Sequence, residues 1–277
     1  MKNKIQVLLS VMNIKDENEY LDLLNKNKIS GSVVAVNQTK KNIFCIENGK
    51  QQIYSYSEKG ASKSRNRLLE KAKGDICIFA DNDTKYVDGY EEIIEKEYQK
   101  RPEADGIIFY IENTNKQREQ IKKIGNKKVN LIDVMKIRTS EITLKRETIE
   151  KIQKMNIKFD TNFGPNGIFL KGEETIFISE LIKKGLKIYG VNKKIGTVED
   201  KKSTWFTGFN EKYLYDQGAI FYRISSKFYK LLNLQYVIRK HNLYKKHINI
   251  FEAYKQMING ARDCKNIYMT KEGENTH

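Results

Sequence analysis

This chain of 277 residues has few prolines, few cysteines and no long apolar run, and each of these absences excludes some classes of protein. With only two prolines and no stretch rich in Gly, Ser and Pro, the sequence contains no evident linker, so one main domain is expected. The three cysteines lack CxxC spacing, which argues against a disulfide framework and fits a reducing cytoplasm. The apolar stretch near the N-terminus ends by Met12, and no apolar run reaches the roughly 18 residues of a membrane helix. We therefore expect a soluble or peripheral protein, without a signal peptide.

Positive charge, by contrast, is abundant: the formal net charge is +16, while hydrophobic residues make up 39% of the chain. This hydrophobic content is enough for a folded core. The charge excess partly reflects a composition rich in Lys, Asn and Ile. The remainder indicates an anionic partner, which could be a nucleic acid, a membrane surface or an anionic small molecule.

Apolar runs with strand character alternate with helical spacing through the first 112 residues. The clearest strands are Ile5–Leu9, Ser32–Val36 and Asp75–Ala80. The same patterns predict a helix over Val87–Arg101 and a later strand over Leu186–Val191. This alternation predicts βαβ units and a mostly parallel sheet. Because ligands of such sheets bind beyond the carboxyl ends of the strands, the loops after Leu9, Val36 and Ala80 are the expected location of the chemistry.

One of these loops contains two carboxylates, in the sequence Asp81-Asn82-Asp83. Carboxylate oxygens at positions i and i+2 suit Mg²⁺ or Mn²⁺, which commonly bridge to phosphates. One helix upstream, Gly60-Ala61-Ser62-Lys63-Ser64-Arg65-Asn66-Arg67 combines a glycine turn with cations at a helix start. Such a segment can hold phosphate through helix N–H groups and guanidinium groups. Together the two segments predict a site for a metal and a diphosphate, whereas each alone also fits an ordinary acidic turn or a solvated helix.

The pattern Gly60-x-Ser62-x-Ser64-Arg65-Asn66, then Gly74-Asp75-Ile76 and Phe79-Ala80-Asp81-Asn82-Asp83, resembles the first half of family 2 glycosyltransferases. Phe163-Gly164, Gly172-Glu173-Glu174-Thr175-Ile176-Phe177 and Lys184-Gly185-Leu186-Lys187-Ile188 resemble its second half. The resemblance covers roughly residues 4–205. It implies the GT-A fold, an α/β nucleotide-binding domain, and a bacterial surface polysaccharide pathway.

The resemblance also implies a binding site for the nucleotide-diphosphate sugar. Ser10 would lie against the base, and Asn37 stands where many members carry an Asp that contacts uracil, which leaves the identity of the base open. Arg65 and Asn66 would lie beside the ribose and diphosphate. The implied donor-binding set is Ser10, Asn37, Lys63, Arg65, Asn66, Asp81 and Asn82.

For the metal, the resemblance implies Asp83 as a direct ligand of Mn²⁺ or Mg²⁺, and Asp81 as a ligand of either the metal or the ribose. Many relatives carry a metal-binding His after the last core strand, but all three histidines of this chain lie in its tail. Glu199 or Asp200 could substitute for it. Lys201–Phe206 reads either as a loop that covers the diphosphate or as an anchor for the tail.

Glu174 matches the acidic position that serves as the catalytic base in inverting members of the family, and Glu173 is the alternative. This base would accept the proton of the acceptor hydroxyl as its oxygen attacks the anomeric carbon. Both glutamates would equally suit a helix N-terminus through the macrodipole.

The tail contains eight basic and two acidic residues between Glu211 and Ile250, with aromatic residues between them. Such helices can lie on anionic membranes, or they can pack against the catalytic domain. The full prediction is a GT-A-like domain over residues 1–205 with a helical tail over 206–277. It would transfer a sugar, most simply UDP-linked, to a glycan or lipid-linked glycan, in the cytoplasm or at the inner face of the plasma membrane. The alternatives are a basic nucleic-acid-binding or membrane-associated subunit without catalysis, or a sugar nucleotidyltransferase; no nucleic-acid partner is expected, because the aromatic residues match no RNA-binding pattern.

Overall fold

The computed structural model describes residues 4–41, 43–47, 49–114, 124–198 and 208–274. The described residues form two compact units. The first comprises those of Met1–Thr161 and Glu173–Lys202, and the second comprises those of Asn162–Gly172 and Ser203–His277. The predicted domain boundary at residue 205 lies outside the described residues and stays a prediction. The assignment of Asn162–Gly172 to the second unit was not anticipated from the sequence.

The first unit is built on one mixed sheet of ten strands. The strands are β1 (Ile5–Met12), β2 (Ser32–Gln38), β3 (Cys45–Ile46), β4 (Gln51–Tyr56), β5 (Ile76–Asp81), β6 (Thr84–Tyr86), β7 (Gly106–Asn113), β8 (Lys127–Lys128), β9 (Ile142–Lys145) and β10 (Ile188–Val198). Their order is β3-β4-β2-β1-β5-β9-β7-β10-β6, and β8 pairs with β10.

The long central pairings of this sheet are parallel. β1 pairs in parallel with β2 and β5, β2 with β4, and β7 with β10. The antiparallel pairings, such as β5 with β9, involve only two or three residue pairs each. Residues of β1 and β2 are buried along almost their whole length, as expected for strands covered on both faces. The predicted α/β class with a mostly parallel sheet is confirmed.

Helices connect the strands of the first unit and begin or end at recognisable residues. They are α1 (Glu17–Lys26), α2 (Ala61–Lys71), α3 (Tyr90–Lys100), α4 (Arg146–Lys154) and α5 (Glu173–Lys183). The Asp16 side chain accepts a hydrogen bond from the N–H of Glu19 and caps α1. At the start of α2, the Gly60 N–H donates to Gln38 Oε1 at 2.7 Å, which fixes this helix to the carboxyl end of β2.

Two elements differ from their predicted extents. The last strand was expected to end at Val191, but β10 continues to Val198 because it pairs with β7, β8 and β6 and absorbs irregularities between Gly190 and Gly196. α3 was expected from Val87 and instead begins at Tyr90, after Gly89 in the left-handed region. Non-local pairing and a turn glycine set these ends, and neither is visible in apolar periodicity.

The second unit contains the helices α6 (Glu211–Ile224), α7 (Tyr229–Tyr244) and α8 (Ile250–Glu274) among its described residues. α6 and α8 approach at Gly218 and Gly260. A Cβ built on Gly218 would lie 1.9 Å from the Met257 carbonyl oxygen, and one on Gly260 would lie 1.9 Å from that of Tyr215. The two backbones are therefore in direct contact, which only glycine permits. Within the described residues, every helix is too short or too polar to span a bilayer.

Candidate functional site

The carboxyl ends of the central strands bring several predicted site residues to one edge of the sheet. Ser10 at the end of β1 pairs with Asp81 at the end of β5, and the next residue, Val11, pairs with Asn37 of β2. α2 starts at the same edge, since Ser64 Oγ lies 2.9 Å from Ser10 Oγ. The parallel register therefore collects residues that lie far apart in the sequence.

Arg65, in the first turns of α2, is the centre of this edge. Its Nη1 donates to Glu173 Oε1 at 2.5 Å, and its Nη2 lies 3.5 Å from Asp81 Oδ1. The guanidinium carbon is 5.8 Å from the centre of the Phe159 ring. The Arg65 and Glu173 side chains are both only 7% exposed, whereas that of Asp81 is 41% exposed. The guanidinium thus joins the acidic turn after β5 to the acidic start of α5.

The electrostatics of this cluster differ between its members. Burial opposes the charge of Arg65, but Asp81, Glu173 and Glu174 outweigh burial and raise the pKa of the guanidinium. Burial also raises the pKa of Glu174 well above its usual range, and the negative charge of Glu173 raises it further. A hydrogen bond between the Glu173 and Glu174 side chains raises the pKa of Glu174 in the same direction.

Arg65 also has an unused donor. Its Nε is buried and has no hydrogen-bond partner among the described residues. A buried donor without a partner is costly, and an oxygen of a bound ligand would satisfy it. An anionic ligand such as a diphosphate suits this position, because charge-assisted hydrogen bonds to a guanidinium are strong.

The Asp81-Asn82-Asp83 segment forms the turn between β5 and β6. The Asp81 N–H donates to Thr84 Oγ1 at 3.3 Å, and the Asn82 carbonyl accepts from Asn27 Nδ2 at 2.9 Å. The side chains of Asn82 and Asp83 are exposed. The turn is therefore anchored through its backbone, while the side chains of Asn82 and Asp83 are exposed and that of Asp81 contacts Arg65.

No group of three or more His, Cys, Asp or Glu side chains within the described residues could hold a metal. Two exposed carboxylates on one turn, Asp81 and Asp83, nevertheless provide hard oxygen ligands of the kind that Mg²⁺ and Mn²⁺ use. These ions often take only one or two carboxylates and complete their shell with phosphate and water. The residues present therefore fit a metal that shares its ligands with a diphosphate, and they do not fit an all-protein metal site.

The side-chain amides of two predicted donor-binding residues form hydrogen bonds to other parts of the protein. Asn37 is fully buried, and its amide accepts from the Ile14 N–H and donates to the Ile14 carbonyl and to Ser55 Oγ. Asn66 donates to the Phe159 carbonyl at 2.9 Å and accepts from the Phe159 N–H at 2.8 Å. Each amide thus fixes a neighbouring segment, and a direct contact with the donor stays a prediction for both.

A cavity of about 630 Å³ adjoins these strand ends. Five lysines contribute to its lining, which consists of Asn13, Ile14, Lys15, Gln38, Thr39, Lys40, Lys41, Ser57, Glu58, Lys59 and Lys63. None of these lysines has an ion-pair partner within the described part of the chain, and the one acidic residue, Glu58, pairs with Arg67 at 3.4 Å. The cavity, which includes the predicted Lys63, is therefore strongly electropositive.

The site contains residues that the sequence did not single out. Phe159 packs between Phe79 and Phe177, with ring centres at 5.5 Å and 4.0 Å, and lies beside Arg65. Ser64 contacts Ser10, and four of the five cavity lysines were also not predicted. A signal for Ser64 existed, since it stands within the Gly60–Arg67 segment, but nothing local marks Phe159. Glu199, Asp200 and Lys201–Phe206 lie outside the described residues.

No protein-family model matches the sequence, and no curated protein matches it either. Solved structures do match. The structure of S. aureus TarS residues 1–349 in complex with UDP-GlcNAc is 14% identical, with a TM-score of 0.59, over 94% of this chain and 80% of that one. The complex of the same protein with UDP is 13% identical, with a TM-score of 0.59, over 97% and 92%.

A second similar structure comes from Pyrobaculum calidifontis. It is the mannosyltransferase PcManGT in complex with GDP-Man and Mn²⁺, and it is 10% identical, with a TM-score of 0.50, over 100% of this chain and 81% of that one. The chain has a glycosyltransferase fold. The GT-A-like architecture expected from the sequence is thereby confirmed, while identities this low show the fold alone.

Proposed function

We propose that this chain is a nucleotide-sugar-dependent glycosyltransferase of family 2. The observation that supports it most strongly is the buried Arg65, which joins the Asp81 turn to the Glu173–Glu174 pair within the confirmed fold. One guanidinium thereby lies between a candidate diphosphate site and a candidate base. Because proteins of one fold can have many different activities, the proposal depends on these residues and not on the fold alone.

The donor would bind with its diphosphate near Arg65 and its nucleoside toward the lysine-lined cavity. The free Nε of Arg65 and the ammonium group of Lys63 provide donors for phosphate oxygens. Asn37 would contribute by holding Ile14 at the cavity wall, and a uracil base remains our proposal on the resemblance alone. Mn²⁺ or Mg²⁺, held by Asp83 and Asp81, would supply Lewis-acid stabilisation of the departing diphosphate.

Glu174 is the proposed base. Because Glu173 Oε1 is occupied by Arg65 at 2.5 Å, Glu174 is the member of the pair that can exchange a proton with a substrate. The acceptor oxygen would attack the anomeric carbon, the bond from that carbon to the diphosphate oxygen would break, and the hydroxyl proton would pass to the Glu174 carboxylate. The configuration at the anomeric carbon inverts in this single displacement. A positioned base of this kind contributes about 10²–10⁴-fold to the rate.

Calorimetric titration with UDP and GDP, with and without Mn²⁺, tests the donor site. We expect binding that strengthens with Mn²⁺, and Asp83→Ala should remove this gain while leaving metal-free binding intact. Asp88→Ala is the matched control, since Asp88 is a highly exposed carboxylate whose ion pair, among the residues that the structure describes, is with Lys28. Binding that ignores both the metal and Asp83→Ala would disprove the metal role, and the absence of any nucleotide binding would disprove the function.

Hydrolysis of a bound nucleotide sugar tests the base, because water can replace the acceptor hydroxyl. Glu174→Gln should retain donor affinity and lose at least about 10²-fold in turnover. Unchanged turnover in Glu174→Gln would move the role to Glu173 or eliminate it. The acceptor, which we propose to be a glycan or a lipid-linked glycan, then requires its own screen.

A further inference from the structure

α7 presents an apolar face to solvent. Leu231, Leu234 and Ile238, spaced like one face of a helix, are 63%, 46% and 58% exposed. The opposite face of the same helix is buried through Asn233, Val237 and others. A surface helix usually has one apolar stripe, directed to the core, and charged residues on its other face. α7 therefore has a second apolar face that the second unit does not bury.

Large apolar side chains that precede and follow α7 in the sequence are exposed as well. Phe228, directly before α7, is 55% exposed, and Phe251, in the first turn of α8, is 84% exposed. Isolated exposed apolar residues are ordinary, but several large ones on one helix and its flanks point to an interaction. We call Phe228, Leu231, Leu234 and Ile238 the α7 face.

The charges around the α7 face all have one sign. Residues 217–251 contain seven Lys and Arg residues and no Asp or Glu. Six of these cations are exposed, and none of the six has an ion-pair partner within the described residues: Lys227, Lys230, Arg239, Lys240, Lys245 and Lys246. Elsewhere in the unit a cation is compensated, as where Lys212 pairs with Asp216.

We propose that the α7 face docks on an anionic membrane surface. Its aliphatic and aromatic side chains would enter the boundary between headgroups and acyl chains, while the flanking cations, such as Lys227, Lys230 and Lys245, contact anionic headgroups. A second copy of this chain would bring two such cationic surfaces together and be repelled. A nucleic acid would satisfy the cations but leave Leu231, Leu234 and Ile238 in water. A lipid surface satisfies both features, and this inference does not depend on the donor chemistry.

Flotation of the full chain with vesicles tests the proposal. Vesicles of phosphatidylcholine mixed with phosphatidylglycerol should bind the chain, vesicles of phosphatidylcholine alone should bind it far more weakly, and high salt should release it. The triple change Lys227→Gln, Lys230→Gln, Lys245→Gln should weaken partitioning on the order of a hundredfold, from about fivefold for each surface cation.

Matched controls separate this face from the general charge of the chain. Lys26→Gln, Lys96→Gln, Lys184→Gln removes the same charge from exposed positions of the first unit and should weaken binding far less. Leu231→Gln with Ile238→Gln should reduce partitioning at least about tenfold, whereas Ile132→Gln, at a 78% exposed position, should not. All these positions are exposed, so the melting temperature should not change.

Three outcomes would overturn the proposal. The first is no binding to the anionic vesicles, and the second is equal loss in the control variants. The third is a dimer in sedimentation equilibrium that Leu231→Gln with Ile238→Gln dissociates, because it would assign the α7 face to a second copy of the chain.

Discussion

Replacing Arg65 by Met tests whether the cluster holds the first unit together as its geometry indicates. The change leaves Glu173, with a side chain only 7% exposed, without its partner at 2.5 Å. Removing one member of a buried ion pair costs about 3–5 kcal/mol, because the remaining charge is buried and uncompensated. The contact from Arg65 to Asp81 is weaker: at 3.5 Å with a 41% exposed carboxylate, it is worth at most about 1 kcal/mol.

These magnitudes predict an order among three variants. Arg65→Met should lower the melting temperature by roughly 6–20 °C, taking about 2–4 °C for each kcal/mol. The double variant Arg65→Met, Glu173→Gln removes both charges and should regain a large part of that loss. Asp81→Asn, the control for the exposed contact, should change the melting temperature by only a few degrees.

Thermal unfolding followed by circular dichroism measures this order, and urea titration gives the corresponding free energies. The double-variant cycle should yield a coupling energy of at least about 2 kcal/mol between Arg65 and Glu173. If the changes in the free energy of unfolding caused by Arg65→Met and Glu173→Gln simply add, the reasoning is refuted. Additivity would mean that removing the guanidinium does not destabilise the Glu173 carboxylate. A loss in Asp81→Asn as large as that in Arg65→Met would refute it as well.

Three further changes probe other features. Glu174→Gln should stabilise the chain at neutral pH and make no difference near pH 3. Because the pKa of Glu174 is raised, the folded state binds this proton more tightly than the unfolded state, and the group reduces stability as the pH rises from the unfolded-state pKa to the folded-state pKa. The difference in melting temperature between Glu174→Gln and the unaltered chain should therefore grow with pH. Gly218→Ala should destabilise the chain by more than about 3 kcal/mol in urea titration, because the alanine Cβ would meet the Met257 carbonyl. This loss should appear even though alanine favours helices over glycine by about 1 kcal/mol. The control Asn266→Ala, at an exposed position of α8, should be neutral or slightly stabilising. Asn66→Ala should cost about 2 kcal/mol, since two hydrogen bonds to the Phe159 backbone are lost, and an unchanged urea midpoint would contradict that clamp.

The sequence was sufficient for those parts of the fold that local patterns determine. Buried strands such as β1, β2 and β5 can be recognised in the sequence as apolar runs, and their alternation with helices predicts that they pair in parallel. Arg65, Asp81 and the Glu173–Glu174 pair were found through motif resemblance, and the structure brings them together. The register that makes Ser10 a neighbour of Asp81 follows from parallel pairing, but no local signal specifies it.

Other features depend on partners distant in sequence and could not be predicted. Asn37 and Asn66 look alike as candidate ligand contacts, yet their amides hold Ile14 and Phe159, and only the folded chain shows which partners they find. The close approach of α6 and α8 rests on Gly218 and Gly260, which in the sequence read as two isolated helix-weakening residues. The α7 face was visible only as a basic, aromatic segment, because periodicity alone does not reveal which of two apolar faces is buried.

The unequal partners of Arg65 suggest how the three acidic residues of the site divide their roles. Glu173 is buried and held at 2.5 Å, so it is the permanent counter-ion of the guanidinium. Asp81 is half-exposed at 3.5 Å, and an arriving diphosphate would compete with it for Arg65 at little cost, leaving its carboxylate available to a cation. Glu174, whose pKa is raised by burial and by Glu173, remains for proton transfer. One prediction separates these roles: turnover should fall on the acid side with an apparent pKa above the ordinary glutamate range, and a profile with an ordinary carboxyl pKa would contradict Glu174 as the base.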